Sequence, residues 1–235
     1  MYMTVEMIPV IGLFALLAVA AGWARTIYLS VVYPVARGTG PLGVALLAGP
    51  LLGEYPAPLG LVAIGTVVIG LVLVAVAAVV AGGGGAEANS PRHSALPGVG
   101  LGLAVGASST AYSLIDRAGV ALVPPPVYLA LQMLGTALLM GPAWLGRKGP
   151  RARLGRSVRR LIGPALLCAT GILGAYGLVL VAMTRAPVAY VAAGREIAIV
   201  FGTLLGAIVL REPVTPARAL GALLVTLGIV LLAMV

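Results

Sequence analysis

The sequence predicts an all-α integral membrane protein with about eight transmembrane helices. Hydrophobic residues make up 61% of its 235 residues, charged residues only 9%, and the mean hydropathy is +1.13. A soluble domain of this size has no core large enough to bury so many apolar side chains. The apolar runs are also continuous, whereas the strands of a transmembrane β-barrel alternate apolar and polar residues. Both observations favour membrane-spanning helices.

Eight apolar segments are each long enough to cross a hydrocarbon core of about 30 Å. They lie at roughly 7–24, 27–53, 59–81, 96–115, 125–146, 161–184, 187–210 and 217–235. The second is interrupted by Gly38, Gly40 and Pro41, which predicts a kink or an unwound turn there. Two connections are long: the glycine-rich stretch Gly82–Ala95, and Gly146–Arg160, which holds seven Lys or Arg residues.

The net charge of +9 lies mainly in the connections between segments. It therefore predicts contact with an anionic bilayer surface rather than with nucleic acid. Most of the basic residues fall on one side when crossings are counted, and the positive-inside rule makes that side cytoplasmic, with both termini outside. We expect a multi-pass protein of the cell membrane.

The sequence gives little support for a metal site, a cofactor or an enzymatic activity. A single cysteine, Cys168, and a single histidine, His93, exclude a Cys/His metal site and a disulfide. No zinc-protease, nucleophile-elbow or phosphate-loop motif occurs. The sequence therefore predicts a protein that is not an enzyme and that needs no cofactor.

An internal repeat relates the two ends of the chain. Arg195 follows Arg37 by 158 positions, and the same offset recurs in three further pairs. These are Glu54 and Glu212, Pro58 and Pro216, and Gly70 and Gly228. An odd number of crossings separates the matching segments, so they run in opposite directions, as in an inverted-topology repeat. We predict a partial first repeat of three helices at 1–81, a linker at 82–95 and a second repeat of five helices at 96–235.

Three charged residues inside apolar segments are candidates for substrate binding: Arg37, Arg195 and Glu196. Charges in membrane segments are costly and usually face a protein interior or a water-filled cavity. The alternatives are that Arg195 snorkels to the interface and that Arg37 only holds the kink through a hydrogen bond. Glu196 lies about 100° from Arg195 around a helix, so one of the two should bond a neighbouring helix. Arginine favours anionic, carboxylate-bearing ligands.

A polar stripe on the fourth segment supplies further candidates. Ser109, Tyr112, Ser113 and Asp116 follow the i, i+3, i+4, i+7 spacing of one helix face. Tyr112 is the candidate for lining a cavity. Asp116 is a proton or substrate partner, or marks the interface, because it falls in the last turn of its predicted helix. Tyr33, close to Arg37, could stack on a ligand or hydrogen-bond to it.

Several motifs, taken in order, resemble those of a known family. They are Tyr33-Pro34-Val35-Ala36-Arg37-Gly38-Thr39-Gly40-Pro41, Gly53-Glu54, Tyr112-Ser113-Leu114-Ile115-Asp116-Arg117, Arg195-Glu196-Ile197, Leu210-Arg211-Glu212-Pro213 and Gly221…Gly228. With them the chain resembles the drug/metabolite transporter superfamily, EamA type. The resemblance implies ten helices in two inverted halves and secondary transport of small metabolites, often efflux, by alternating access.

The resemblance also implies that the first two helices of the ten-helix pattern are absent here. An upstream extension, or a partner in a homo- or hetero-oligomer, would supply them. The family usually has cytoplasmic termini, opposite to the arginine count. We expect a transporter of amino-acid-like or anionic compounds driven by a proton or substrate gradient. The alternative is a non-transporting or partner-dependent membrane subunit derived from such a transporter.

Overall fold

Helices form most of the chain. The computed structural model describes residues 29–82, 96–145, 148–209 and 214–235. The helices are Leu29–Leu52 (α1), Pro58–Gly82 (α2), Leu96–Leu122 (α3), Pro125–Leu145 (α4), Lys148–Met183 (α5), Val188–Gly194 (α6), Ile197–Ile208 (α7) and Pro216–Leu232 (α8). They occupy seven of the eight predicted segments. The first predicted segment, most of the linker, and Glu212 lie outside the described residues.

Length, composition and exposure together identify a membrane fold. Four stretches are long and apolar enough to cross a membrane, and the residues described contain no strand. The four are Val35–Leu52, Pro58–Ala77, Ile162–Met183 and Val188–Ile208. Large apolar side chains remain exposed along these helices, Leu167 by 76% and Ile172 by 69%. Such surfaces are stable against lipid and not against water, so the prediction of an all-α integral membrane protein is confirmed.

Helix α1 is continuous across Gly38, Gly40 and Pro41, so the predicted unwound turn is not found there. The reason is close packing against α3. The Thr110 hydroxyl of α3 lies within hydrogen-bond distance of the Gly40 carbonyl of α1, at 3.2 Å, and of the Gly106 carbonyl of its own helix, at 3.0 Å. A side chain at Gly43 would overlap Thr110. Threonine hydroxyls and close neighbours stabilise membrane helices at such glycines and prolines. The small residues of α1 therefore allow helix contact instead of breaking the helix.

Helix α5 begins at Lys148, so most of the connection predicted at Gly146–Arg160 is helical. Arg, Leu and Lys favour helices, and Pro150 lies in the first turn, where its missing N–H breaks no helical hydrogen bond. The helix has 36 residues. At 1.5 Å per residue it is about 54 Å long, well beyond a core of about 30 Å. The basic residues therefore belong to a helical extension of a membrane segment.

The described helices group into two compact units. The first comprises Met1–Ile115 with Pro187–Val235, and the second comprises Asp116–Ala186. Helix α3 contains the boundary between them. This division is based on contacts between helices. The linker predicted at 82–95 separates two segments of similar sequence, which is a different criterion, and it stays a prediction.

Helices α2 and α8 pack closely and antiparallel in the first unit. A Cβ atom at Gly70 would lie 2.6 Å from the Gly221 carbonyl oxygen, and one at Gly228 would lie 2.8 Å from the Ala63 carbonyl oxygen. The two contacts are reciprocal. Moving Gly70 by 158 positions gives Gly228, and Ala63 moves to Gly221. Both helices also begin at the paired prolines noted in the sequence.

The apolar core beside this contact follows the same offset. Val67, Leu71 and Val225 are buried, with Ile229 packed against them. Val225 lies 158 positions after Val67, and Ile229 lies 158 after Leu71. Reciprocal contacts are expected where related segments face each other across a two-fold axis. They support the predicted repeat for these two helices; the repeat elsewhere in the chain stays a prediction.

Candidate functional site

The seventh predicted segment is interrupted at Arg195 and Glu196. These two residues form a turn between α6 and α7. The N–H of Glu196 donates to Ala193 O at 3.1 Å, and the N–H of Ile199 donates to Glu196 O at 3.0 Å. Both bonds span three residues rather than four, as in the tighter 3₁₀ arrangement. The helix break expected in the second segment therefore occurs in the seventh, at its two charged residues.

The turn between α1 and α2 holds the start of α6. Gly53 follows α1 with φ of +73°, a conformation that favours glycine. Glu54 then accepts the N–H of Val188, the first residue of α6, at 2.8 Å. In the other direction, the Tyr190 hydroxyl of α6 accepts the N–H of Ala57 at 2.9 Å. A carboxylate at a helix start is favourable because the first N–H groups have no partner within the helix.

Arg37 on α1 forms an ion pair with Glu196. Its Nη1 atom donates to both carboxylate oxygens, at 3.2 and 3.0 Å. The Arg37 side chain is 38% exposed, whereas that of Glu196 is only 8% exposed. The expectation that one of Arg195 and Glu196 bonds a neighbouring helix is met by Glu196. The pair connects α1 directly to the break between α6 and α7.

Arg195 contacts Tyr112 on α3 instead. Its Nη2 atom donates to the Tyr112 hydroxyl at 2.8 Å, and its guanidinium carbon lies 5.6 Å from the centre of the ring. Ser109, one turn earlier on α3, donates to the same hydroxyl at 3.4 Å. The ring and hydroxyl together fix the direction of the guanidinium. The two arginines thus have different partners, one charged and one neutral.

These side chains surround a cavity of about 410 Å³ in the first unit. Its polar lining consists of Arg37, Ser108, Ser109, Tyr112, Ser113, Arg195 and Glu196. Apolar residues complete the wall, among them Pro41, Val44 and Val105. The volume lies within the range of small-molecule sites. Two guanidinium groups face one carboxylate, so the lining carries a formal charge of about +1.

Four of the six predicted site residues meet at this cavity: Arg37, Tyr112, Arg195 and Glu196. Tyr33 lies in α1, and its side chain is outside the described part of the structure. The sequence analysis missed Ser108, although it directly precedes Ser109 of the polar stripe. No group of three or more His, Cys, Asp or Glu residues in the described ranges could hold a metal ion.

Asp116 lies in the second unit and does not line the cavity described above. It is only 1% exposed, and α3 continues to Leu122, so Asp116 is not in the last turn as the sequence suggested. Its carboxylate accepts hydrogen bonds from the hydroxyls of Tyr128, at 2.9 Å, and Tyr176. The two tyrosines lie 12 and 60 positions away, so no local spacing indicated this cluster.

Membrane-length helices and a charged cavity in the volume range of small-molecule sites define a polytopic membrane protein with a candidate binding site. Residues 96–234, more than half of the chain, match the EamA-like transporter family. The chain therefore belongs to that family, in agreement with the resemblance to the drug/metabolite transporter superfamily, and is a membrane transporter of small molecules. No curated protein matches the chain.

Proposed function

We propose that the chain carries a small carboxylate-bearing or amino-acid-like metabolite across the cell membrane, by secondary transport with alternating access. The observation that carries this proposal is the pairing pattern in the cavity. Arg37 is hydrogen-bonded to the Glu196 carboxylate, whereas Arg195 is hydrogen-bonded to the neutral Tyr112 hydroxyl. The cavity therefore offers a cation and, beside it, an ion pair that a ligand can exchange with.

Arg195 is the anion-binding group of this proposal. A guanidinium has five N–H donors, and the hydrogen bond to Tyr112 uses one of them. The remaining donors suit two carboxylate oxygens, which guanidinium binds in a bidentate manner. Tyr112 sets the direction of the group, so less conformational freedom is lost when a ligand binds.

The Arg37–Glu196 ion pair would recognise the ammonium group of an amino-acid-like substrate. An ammonium group of an amino-acid-like substrate would bind Glu196 in place of the Arg37 guanidinium. Arg37 is 38% exposed and can be hydrated after release, whereas Glu196 is 8% exposed and needs a cationic partner. A purely anionic substrate would leave this pair intact and bind at Arg195 alone.

The ion pair also provides a physical means of changing conformation. It links α1 to a turn in which the helical hydrogen bonds are already rearranged. A ligand that replaces Arg37 at Glu196 removes that link, and a ligand can shift a two-state equilibrium only through such differential contacts. Broken helices also occur at the substrate sites of other transporter folds.

The test uses the full chain purified alone and reconstituted in lipid vesicles. A set of amino acids and small mono- and dicarboxylates is screened by thermal stabilisation, and hits are tested for counterflow of labelled substrate. Arg195→Gln should weaken ligand binding about 10- to 100-fold, as expected for loss of a charged hydrogen bond worth about 1.5–3 kcal/mol. Arg185→Gln, at an exposed arginine in the turn after α5, is the matched control and should bind normally.

Normal binding and counterflow by both Arg195→Gln and Arg37→Gln would show that the cavity is not the substrate site. Transport that occurs only when another membrane chain is co-expressed would favour the partner-dependent subunit instead. Labelling of cysteines introduced near Lys148 would establish the orientation, because the arginine count places this end of α5 in the cytoplasm.

A further inference from the structure

A second polar cluster lies in the second unit, where α3, α4 and α5 contribute one or two side chains each. Asp116 and Tyr128 are buried, and Gln132 and Tyr176 are half-buried. Asp116 of α3 is its centre and is 1% exposed. Tyr128 of α4 donates to Oδ1, and Tyr176 of α5 donates to Oδ2. Gln132, one turn after Tyr128 on α4, donates through Nε2 to the Tyr176 hydroxyl at 3.3 Å. The cluster is therefore a hydrogen-bonded chain running from Gln132 through Tyr176 to Asp116.

The backbone is shaped to hold this cluster. Tyr128 is 6% exposed, and its ring lies against Gly119, where any side chain would overlap it. The ring can reach Asp116 only because position 119 has no Cβ atom. Such a close fit around a buried carboxylate indicates a defined site rather than an incidental surface contact.

We propose that this cluster is a proton-binding site, in which Asp116 takes up the ion that drives transport. The coupling role rests on the transport function proposed above; the proton binding does not. One proton moves from water to Oδ2 of Asp116, and the charge of the carboxyl group changes from −1 to 0. No bond between heavy atoms is made or broken.

The unused acceptor of Gln132 is the observation that points to a second state. Its Oε1 atom is buried and has no hydrogen-bond partner among the described residues, and buried amide oxygens are normally paired. When Asp116 is ionised, the chain donates from the Gln132 amide to Tyr176 and from Tyr176 to the carboxylate. When Asp116 carries a proton at Oδ2, it donates to the Tyr176 oxygen instead.

Tyr176 must then direct its own hydroxyl proton elsewhere. Rotation of the Gln132 amide by 180° exchanges Nε2 and Oε1 and brings the unused oxygen to the Tyr176 hydroxyl. The reversed chain, from Asp116 through Tyr176 to Gln132, keeps both hydrogen bonds with the opposite direction of donation. Nε2 of Gln132 then takes the place of Oε1 as the amide group without a described partner. The same residues thus accommodate both protonation states, which is what reversible proton binding in a dry interior requires.

Two titratable side chains bond Asp116 directly. Tyr128 is the titratable group that faces it from α4, and α4 contains no charged residue. Tyr176 faces it from α5, whose last charged residue, Arg160, lies 16 positions earlier. Arg117 follows Asp116 on α3 and has interactions of its own. Asp116 is thus the acid of this cluster, and Arg117 is its nearest cation in sequence.

Helix α3 connects the proton site to the substrate cavity through the chain itself. Tyr112, which orients Arg195, and Asp116 are four residues apart on one continuous helix. A change in the hydrogen bonds that hold Asp116 therefore acts on the helix that carries Tyr112. This is the element through which proton binding would influence the cavity.

Infrared difference spectroscopy on the full protein in lipid tests the proton site directly. Acidification of the wild type should produce a protonated-carboxyl C=O band that is absent in Asp116→Asn and present in Glu54→Gln, a control acid outside the cluster. Gln132→Leu should shift the frequency of this band, because the reversed chain loses its last acceptor. Thr170→Val, whose exposed hydroxyl donates to the Leu166 and Leu167 carbonyls within α5, should leave it unchanged.

The coupling role is tested with the same variants in vesicles. Asp116→Asn should reduce uptake driven by an imposed pH gradient at least tenfold and retain counterflow without a gradient.

If Asp116→Asn does not fold, Tyr176→Phe keeps the acid and should displace the infrared band. An unchanged carboxyl band in Asp116→Asn, or in Tyr176→Phe, would overturn the proton site. Full response of Asp116→Asn to the pH gradient would overturn the coupling. Absence of any transport by the wild type would refute the proposed function while the spectra still decide the proton site.

Discussion

The contact between α2 and α8 gives a sharp prediction for Gly70→Ala. A methyl group at position 70 would lie 2.6 Å from the Gly221 carbonyl oxygen and 2.7 Å from the Val225 nitrogen. Carbon and oxygen atoms in close Cα–H···O contacts are about 3.3–3.6 Å apart, so the methyl group is about 0.7 Å too close. Both clashing atoms belong to the backbone of α8, and a side-chain rotation cannot relieve them. The helices must separate, and the buried Val67 and Val225 lose contact with each other's helix.

The magnitude follows from two opposing terms. Overpacking of a tight core costs about 1–3 kcal/mol, and the upper part of this range applies because the clash is with backbone. Replacing glycine by alanine in a helix contributes about 1 kcal/mol of stability. Gly65→Ala on the same helix, where nothing lies within 4 Å of the new methyl group, shows the second term alone. The two variants should therefore differ by about 2–3 kcal/mol, or about 4–12 °C in Tm.

The assay is heating of the purified protein in detergent followed by size-exclusion chromatography. A thiol-reactive dye is unsuitable, since the single cysteine, Cys168, is exposed in the folded protein. Gly228→Ala should behave like Gly70→Ala, because its methyl group would lie 2.8 Å from the Ala63 carbonyl oxygen. If Gly70→Ala and Gly65→Ala melt at the same temperature, the close approach of α2 and α8 is wrong. If only one of the two paired glycines is sensitive, the reciprocal packing is wrong.

Three further contacts can be tested with variants in the same melting assay. Thr110→Val removes the hydroxyl that bonds the α1 carbonyl and should cost about 1 kcal/mol, whereas Thr66→Val, at a hydroxyl bonded within its own helix, should be nearly neutral. Glu54→Ala leaves the first N–H of α6 without its carboxylate and should cost about 1 kcal/mol; equal Tm values for wild type and variant would contradict that contact. Arg37→Met should destabilise the protein more than Glu196→Gln, since it leaves a carboxylate that is only 8% exposed without this partner; the opposite order would contradict the burial of the pair.

Much of the fold could be predicted because the signals that determine it are local. Membrane segments follow from long apolar runs, and the helix starts at Pro58 and Pro216 follow from the position that proline favours. The sequence predicted a kink or an unwound turn in α1, and the unwound turn is not found because glycine and proline are also the residues that allow close packing. Whether such residues break a helix depends on a hydroxyl 70 positions away, at Thr110, which a local pattern does not contain.

The candidate site could be predicted in part for a related reason. Arg37, Arg195 and Glu196 could be identified because burying a charge in a membrane segment costs free energy, so such residues usually mark a functional site. Their partners depend on tertiary contacts: Arg37 and Glu196 are 159 positions apart. The same limitation applies to Asp116. Its helix continues beyond the apolar run from which the end of the helix was predicted. Two tyrosines that are distant in sequence bond its carboxylate and so allow a charged residue inside the helix.

The predicted repeat offers an explanation for the net positive charge of the cavity lining. Arg37 and Arg195 occupy matching positions, and Glu196 matches Gly38. A symmetric arrangement would contain two ion pairs and no net charge. Among the residues that line the cavity Glu196 is the only acid, and it bonds Arg37, which lies in the other predicted repeat. A side chain at position 38 would point at Val68 and Val72 of α2, at 3.7 and 3.8 Å, so the missing acid could not be restored there without burying it among valines. Arg195 is hydrogen-bonded to the neutral Tyr112. In the function proposed above, the difference between the two matching positions is what provides a cation for the substrate.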